Sequence, residues 1–183
     1  PDQALATLPF ALQFVAMMVT TSGASYLMRR IGRRGGFSVG AIMLVLAGLL
    51  AAYALEARSF PLYCLASFII GSCNACAMYY RFTAAEVAEE TQRGKAIAFV
   101  MAAGVIAAFC GPGLAIWARD LLAPTIFAGS FLMVSCLAGI ALLALRFLKV
   151  PPLTFEERQQ SGRPLGEIAR QPVFIVALLG GTI

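Results

Sequence analysis

The chain has 183 residues, of which 60% are hydrophobic and only 13% are charged. A soluble domain is about 45–50% apolar and about 25% charged, so this composition excludes an ordinary soluble globular protein. The formal net charge of +5 does not indicate nucleic-acid binding, because the basic residues lie between apolar runs and form no stripe with interleaved aromatic side chains.

The apolar runs are about 20 residues long, which is the length of helix that crosses a hydrocarbon core of about 30 Å. We therefore predict an all-α membrane protein with five complete spans and the start of a sixth. The last apolar run, 172–183, is too short to cross a bilayer, and the chain begins at Pro1, so we expect a longer intact protein. The predicted complete spans are 4–28, 37–55, 60–82, 96–117 and 122–148.

The basic residues are distributed very unevenly between the two sides of this arrangement. Every Lys and Arg except Arg58 and Arg119 falls in or beside the connections of one side. The positive-inside rule places that side in the cytoplasm. We therefore predict a multi-pass membrane protein whose basic connections face the cytoplasm.

The ionisable and thiol side chains give little support for a redox, metal or catalytic site. Cys73 and Cys76 form a C-x-x-C that is compatible with a redox or metal site, but the chain has no histidine and no second such pair. We interpret the cysteines as small packing residues and predict neither a metal nor a cofactor. No Asp or Glu lies in the middle of a complete span, so we predict that the protein is not an enzyme.

The connection after the first span carries the most specific motif. Residues 25–34 read SYLMRRIGRR, which resembles the G-x-L-a-D-R-x-G-R-R loop between the second and third spans of the major facilitator superfamily. Serine replaces the first glycine, and Arg29 replaces the usual aspartate. The resemblance implies a cytoplasmic gate loop; plain topogenic charge around a turn glycine is the alternative. The residues of this predicted gate loop are Arg29, Arg30, Gly32, Arg33 and Arg34. We expect Arg29 or Arg30 to pair with Glu86 or Glu89 of the next basic connection.

Weaker motifs follow in the family order. Gly71 matches the glycine of the R-x-x-q-G motif of the family's fourth span, where Ser67 replaces the arginine. Gly111 and Pro112 resemble part of the G-P-x-x-G-G motif that antiporters carry in their fifth span. Small residues recur every fourth position in this helix, which predicts a close helix contact, a bending gate helix, or both. The stripe comprises Ala103, Ala107, Gly111 and Ala115.

The resemblance covers the chain as family spans two to seven. It implies a major-facilitator-like helical bundle and a secondary transporter that moves a small solute by alternating access. A non-transporting scaffold or sensor subunit is the alternative. The loop 25–34, the run Tyr80-Arg81-Phe82, and Trp117 with Arg119-Asp120-Leu121 resemble a bacterial subfamily that includes riboflavin transporters. This resemblance implies a riboflavin-like substrate and a location in the bacterial inner membrane. We expect the partners to be this solute and the lipid bilayer, with no nucleic acid, and we expect a monomer.

The same resemblance sets the predicted domains and the predicted substrate contacts. Residues 1–148 would form most of the N-terminal six-helix half without its first span, 149–171 the cytoplasmic middle loop, and 172–183 the start of the C-terminal half. In the span 60–82, Ser67, Gly71, Asn74, Met78 and Arg81 share one helical face. Instead of binding substrate, the Arg81 side chain would extend to the membrane boundary in an alternative interpretation. The corresponding alternative for Gln13 is a hydrogen bond to a neighbouring helix. The predicted substrate-binding residues are Gln13, Asn74, Met78 and Arg81.

Overall fold

The computed structural model describes residues 3–147, which are mostly helical and include no strand. The chain divides into two compact units, Pro1–Pro152 and Leu153–Ile183, and the described residues belong to the first. The all-α prediction is confirmed, whereas the predicted middle loop and sixth span lie outside the described residues. The elements are α1 (Gln3–Glu56), α2 (Phe60–Ala77), α3 (Tyr80–Val87), a 3₁₀ turn (Glu90–Gln92), α4 (Arg93–Ala118) and α5 (Ala128–Phe147).

Helix α1 is two helices joined at a single residue. Gly32 has φ 79° and ψ 163°, a combination that is essentially restricted to glycine. We call residues 3–31 the first arm of α1 and residues 33–56 the second arm. The arms contain the predicted spans 4–28 and 37–55, so one glycine makes the whole connection between them.

The predicted span 60–82 is interrupted near its basic end. Pro61 lies in the first turn of α2, where a missing N–H costs nothing. At the other end, the N–H of Tyr79 donates to the carbonyl of Cys76 at 3.1 Å, an i to i−3 bond in place of the α-helical pattern. Helix α3 then begins at Tyr80.

The fifth predicted span begins too early. Residues 119–127 form successive turns, and α5 starts at Ala128 rather than at 122. Pro124 has no N–H and disfavours helical geometry in the residue before it. The turn is closed by the N–H of Phe127, which donates to the carbonyl of Arg119 at 3.1 Å.

Four segments within the described residues are long and apolar enough to cross a membrane. A shorter apolar stretch, Leu5–Thr21, opens α1, so the predicted span 4–28 covers this stretch and the start of the first long segment. Five complete spans were predicted, and the described residues contain four segments of membrane-crossing length together with this shorter stretch. They are Gly23–Glu56, Phe60–Ala85, Glu90–Ala118 and Ala128–Phe147.

The second arm of α1 packs between α2 and α5 through small residues. A side chain at Gly48 would collide with Ser135 of α5, and one at Gly40 would press on Cys76 of α2. The Ser135 hydroxyl also donates to the carbonyl of Val45 at 3.0 Å. Close approach of membrane helices needs such small side chains. Alanines with no exposed surface complete this interior: Ala16, Ala47, Ala51, Ala66 and Ala75.

Helix α4 contrasts with this interior. None of its membrane-crossing stretch is buried by the described part of the chain, and Phe109 is 81% exposed. Near the last residue of α4, the Ser130 hydroxyl of α5 donates to the carbonyl of Ala115 at 2.6 Å. Helix α4 therefore presents its apolar surface outward from the described bundle.

Candidate functional site

The predicted gate loop contacts other segments at the basic end of the bundle. Arg33 Nη1 donates to Thr83 Oγ1 of α3 at 3.2 Å. Arg34 Nη2 donates to the carbonyl of Arg146 in the last turn of α5 at 2.7 Å, where a cation also favours the helix dipole. Three basic connections therefore meet at one end of the described bundle.

The arginines of the gate loop contact different parts of the chain, and Arg33 and Arg34 make the contacts between segments given above. The side chain of Glu86 lies outside those that the structure describes, so the expected pairing of Arg29 or Arg30 with Glu86 or Glu89 stays a prediction. Arg30 lies over the ring of Tyr26, with its guanidinium carbon 5.1 Å from the ring centroid. Arg29 lies in a polar cleft described below. Spacing alone could not distinguish the four arginines, because the direction of each depends on the turn at Gly32.

Half of the predicted substrate face is a helix contact. Ser67 is only 2% exposed, and Gly71 approaches the backbone of Gln13 so closely that a Cβ at Gly71 would collide with it. The first arm of α1 therefore covers this part of α2. This contact is made by backbone atoms of Gln13, and the role of its side chain stays a prediction.

The other half of the face remains open. Asn74 is exposed, and so is Met78. Arg81 Nη2 lies 3.4 Å from the Met78 sulfur, and its guanidinium carbon is 5.8 Å from the centroid of the Phe82 ring. The structure therefore brings Met78 and Arg81 together beyond the end of α2, with Asn74 one turn earlier.

Two tyrosines fix the chain where α2 gives way to α3. The Tyr79 hydroxyl donates to the carbonyl of Thr21 in the first arm of α1 at 3.0 Å. The ring of Tyr80 packs against Phe37 of the second arm, with centroids 4.4 Å apart. A further hydrogen bond, from Thr20 Oγ1 to Ser72 Oγ at 3.0 Å, ties α2 to the first arm. Both arms of α1 therefore hold the segment that carries Met78 and Arg81.

An apolar cavity of about 330 Å³ lies between the second arm of α1, α2 and α5. Asn74 provides the one amide group in its lining, and Cys73 and Cys76 belong to the same wall. Both cysteines are buried free thiols, and Cys76 lies in the hydrophobic cluster around Phe37. The predicted site residues Met78, Arg81 and Gln13 are not part of this lining.

A second, more polar cleft of about 410 Å³ opens beside the gate loop. Arg29 was predicted as a residue of the gate loop, but a cleft at this place was not predicted. Thr21, Ser25 and Arg29 lie at i, i+4 and i+8 and so share one face of the first arm. That spacing was the signal available in the sequence. The lining comprises Thr21, Ser25, Tyr26, Arg29 and Tyr79.

The small-residue stripe of α4 has no helix against its centre in the described structure. Ala107 and Gly111 are exposed, and no atom of the described chain lies within 4 Å of a Cβ built at Gly111. Pro112 lies inside a helix that continues to Ala118. The predicted contact is thus not formed among residues 3–147 and stays a prediction for the intact protein.

The acidic groups of the described structure lie at the ends of the helices. Asp120, beyond α4, accepts hydrogen bonds from Arg119 Nε and Nη2 at 3.1 Å each. The hydrogen bond from Arg119 lowers the pKa of Asp120 below its ordinary value of 3.8. The same hydrogen bond raises the pKa of Arg119. Asp120 is therefore a permanently ionised surface group at neutral pH.

Comparisons with known proteins extend over the whole chain. Residues 1–183 match the family model of the Major Facilitator Superfamily. The chain is 38% identical over 182 residues to the riboflavin transporter RfnT of Brucella anthropi, and the alignment covers 98% of the chain but 46% of that protein. The chain thus spans about half the length of the curated relative that it matches. No solved structure matches the chain significantly.

Proposed function

The chain belongs to the major facilitator superfamily, and from this premise we propose that it is part of a secondary transporter that moves a small solute by alternating access. The match over residues 1–183 is the observation that carries the proposal. It confirms the family predicted from the loop 25–34, and membership in a family of transporters confirms that the chain is not an enzyme. In such transporters the substrate lies near the midplane between two halves that rock against each other.

The proposed substrate is a flavin-like solute, a flat heteroaromatic ring with a polar side chain. Its support is the 38% identity with a relative described as a riboflavin transporter. The open half of the predicted face suits such a ring. The thioether of Met78 would pack favourably on an aromatic surface, and the amide of Asn74 and the guanidinium of Arg81 would orient its polar groups.

The proposed setting is the bacterial inner membrane, with the basic connections in the cytoplasm. The contacts of Arg33 with Thr83 and of Arg34 with Arg146 support this orientation, because they bring three basic connections to one end. We propose that 1–148 belong to the N-terminal half, that 149–171 form the middle loop, and that 172–183 begin the second half. The protein would act as a monomer surrounded by lipid.

The test is uptake by the full-length protein in proteoliposomes. Labelled riboflavin should enter in a saturable manner, and unlabelled riboflavin should compete whereas thiamine should not. Measurements with and without a pH gradient identify any coupling to protons. Absence of saturable uptake of any solute would refute the transporter, whereas uptake of other solutes without riboflavin would refute only the proposed substrate.

A variant pair tests the proposed binding residues. Asn74→Ala should raise KM for riboflavin about tenfold, the usual effect of one lost hydrogen bond in a desolvated site. The control is Gln92→Ala, which removes an exposed amide from the 3₁₀ turn. Equal KM values for both variants and the unchanged protein would remove Asn74 from the site.

A further inference from the structure

The polar cleft beside the gate loop offers hydrogen-bond donors that the described protein does not use. Arg29 makes no ion pair or hydrogen bond with another described side chain, and the hydroxyl groups of Ser25 and Tyr26 make no hydrogen bond there either. By contrast, Thr21 Oγ1 donates to the carbonyl of Met17 at 2.6 Å, and the Tyr79 hydroxyl donates to the carbonyl of Thr21. The lining of the cleft thus combines two hydroxyl groups that are already bonded, those of Thr21 and Tyr79, with donors that remain available.

The charge around the cleft has one sign. No acidic side chain lines it among the described residues, and Arg30 follows directly in the sequence, held over the ring of Tyr26. A cation without a carboxylate partner, beside neutral donors, is complementary to an anion. The position Arg29 corresponds to the usual aspartate of the family loop, so this site is not part of the charge pattern that the resemblance implies.

The geometry of the donors favours one kind of anion. A guanidinium presents several N–H groups in one plane and binds two oxygens of the same group at once. Ser25, one turn before Arg29 on the same face, and Tyr26 would supply hydroxyl donors to a third oxygen. A free phosphate offers at least three terminal oxygens, and the phosphodiester of a phospholipid offers two terminal and two ester oxygens, whereas a carboxylate offers only two oxygens in all.

We infer that this cleft binds a phosphate group, with Arg29 as the main ligand and Ser25 and Tyr26 as hydroxyl donors. The group can come from a soluble phosphate or from the headgroup of an anionic phospholipid, since the cleft lies at the basic end of the bundle and anionic lipids attract such segments. Either source would stabilise the arrangement in which Tyr79 is bonded to the first arm of α1.

The experiment uses full-length protein in nanodiscs and measures thermal unfolding. In the phosphate series, nanodiscs of phosphatidylcholine receive inorganic phosphate at constant ionic strength, balanced with chloride. In the lipid series, phosphatidylglycerol replaces part of the phosphatidylcholine and phosphate is omitted. Binding to the folded state raises Tm, and the stabilisation grows with the logarithm of one plus the ratio of ligand concentration to Kd. Phosphate also stabilises proteins by exclusion from their surface, so the difference between variants is the readout.

The variants separate a specific site from general charge. Arg29→Gln should need at least about tenfold more phosphate for the same rise in Tm, because it loses charge-assisted hydrogen bonds. Arg29→Lys keeps the charge and should lose less, and Ser25→Ala should weaken binding a few-fold. Lys95→Gln removes one cation from the start of α4, outside the cleft, and should respond like the unchanged protein.

The outcomes either identify the source of the phosphate group or refute the proposed site. A phosphate-dependent shift that Arg29→Gln weakens assigns a soluble phosphate. A shift with phosphatidylglycerol alone, again weakened by Arg29→Gln, assigns a lipid headgroup. The inference would be overturned if Arg29→Gln and Lys95→Gln responded equally in both series of nanodiscs. It would also be overturned if Tm of the unchanged protein did not shift in either series.

Discussion

Gly32 connects two membrane helices without any further loop residue. Its φ of 79° lies where a side chain is strained, and no atom lies within 4 Å of a Cβ built there. The requirement for glycine is therefore one of backbone conformation and not of space. A β-branched residue is the least compatible with this geometry.

We expect Gly32→Val to lower stability by about 1–3 kcal/mol, the usual cost of a residue forced into a sparsely populated backbone conformation. It should also reduce transport, because the turn positions Arg33 and Arg34 for their contacts. Thermal unfolding and uptake by the full-length protein measure the two effects. Gly94→Val is the control, since Gly94 has equally open surroundings but lies in the first turn of α4. Unchanged uptake by Gly32→Val would remove the loop from gating.

Asp120 illustrates why the described acids are poor candidates for proton coupling. Its pKa is lowered by the hydrogen bond from Arg119, so it stays charged through the physiological range. Its contribution to stability is present above its unfolded pKa and is lost as the pH falls through the folded pKa, below 3.8. A coupling acid needs the opposite, a pKa raised toward neutrality.

Asp120→Asn should therefore leave the pH dependence of uptake between about pH 5 and 8 unaltered. The same is expected for Glu89→Gln and Glu90→Gln at the basic end. Uptake driven by a pH gradient and counterflow exchange, measured side by side, test this. A variant that abolishes the first but preserves the second would show that one of these acids carries the proton.

Among the elements, α2 makes a close contact with the first arm of α1 at Gly71. The backbone of Gln13 fills the space that a side chain would need. Because backbone atoms occupy the space, a larger residue cannot be accommodated by a change of rotamer. The two helices would have to separate, with loss of the hydrogen bond between Thr20 and Ser72.

Gly71→Val should therefore destabilise the full-length protein by at least about 1–3 kcal/mol, the range for overpacking. Thermal unfolding in detergent and gel filtration report the loss of folded monomer. Gly104→Val is the matched control, because Gly104 lies in α4 with no neighbouring atom within 4 Å of its Cβ position. If both variants were equally tolerated, the described contact would be wrong.

Helix α4 gives the complementary prediction. The centre of its small-residue stripe, at Ala107 and Gly111, has no partner among residues 3–147, so a contact there requires a segment outside the described residues. If that contact exists, Gly111→Leu should block folding or transport in the full-length protein, whereas Phe109→Leu on the opposite face should be mild. Equal tolerance of the two substitutions, by yield of folded protein and uptake, would rule the contact out.

The positions of the helices could be predicted from the sequence better than the contacts between them. Apolar length located the spans, and Gly32 marked the tight turn, because both properties are local. The interruption at Met78 and Tyr79 carried no glycine or proline to signal it. Spacing of small residues suggested the stripe of α4, yet the close contacts form at Gly40, Gly48 and Gly71. A small residue permits close approach, but which helix approaches depends on the tertiary arrangement.

The whole bundle is polarised, with three basic connections at one end. We expect these connections to face the cytoplasm. In a full-length protein without native cysteines, Gln92→Cys should react with a membrane-impermeant thiol reagent only after permeabilisation. Ala57→Cys, in the turn at the opposite end, should react in intact cells. The reverse pattern would invert the proposed orientation and with it the assignment of the gate.

The bare surface of α4 has a consequence for how the chain enters the membrane during synthesis. No charged residue lies between Lys95 and Arg119, so the translocon can release α4 into lipid without waiting for a partner. The first arm of α1 differs, because the hydroxyl of Thr20 finds Ser72 only after α2 has left the ribosome. Ser72→Val would consequently act during biogenesis, as incomplete insertion of the first arm, while α4 inserts normally.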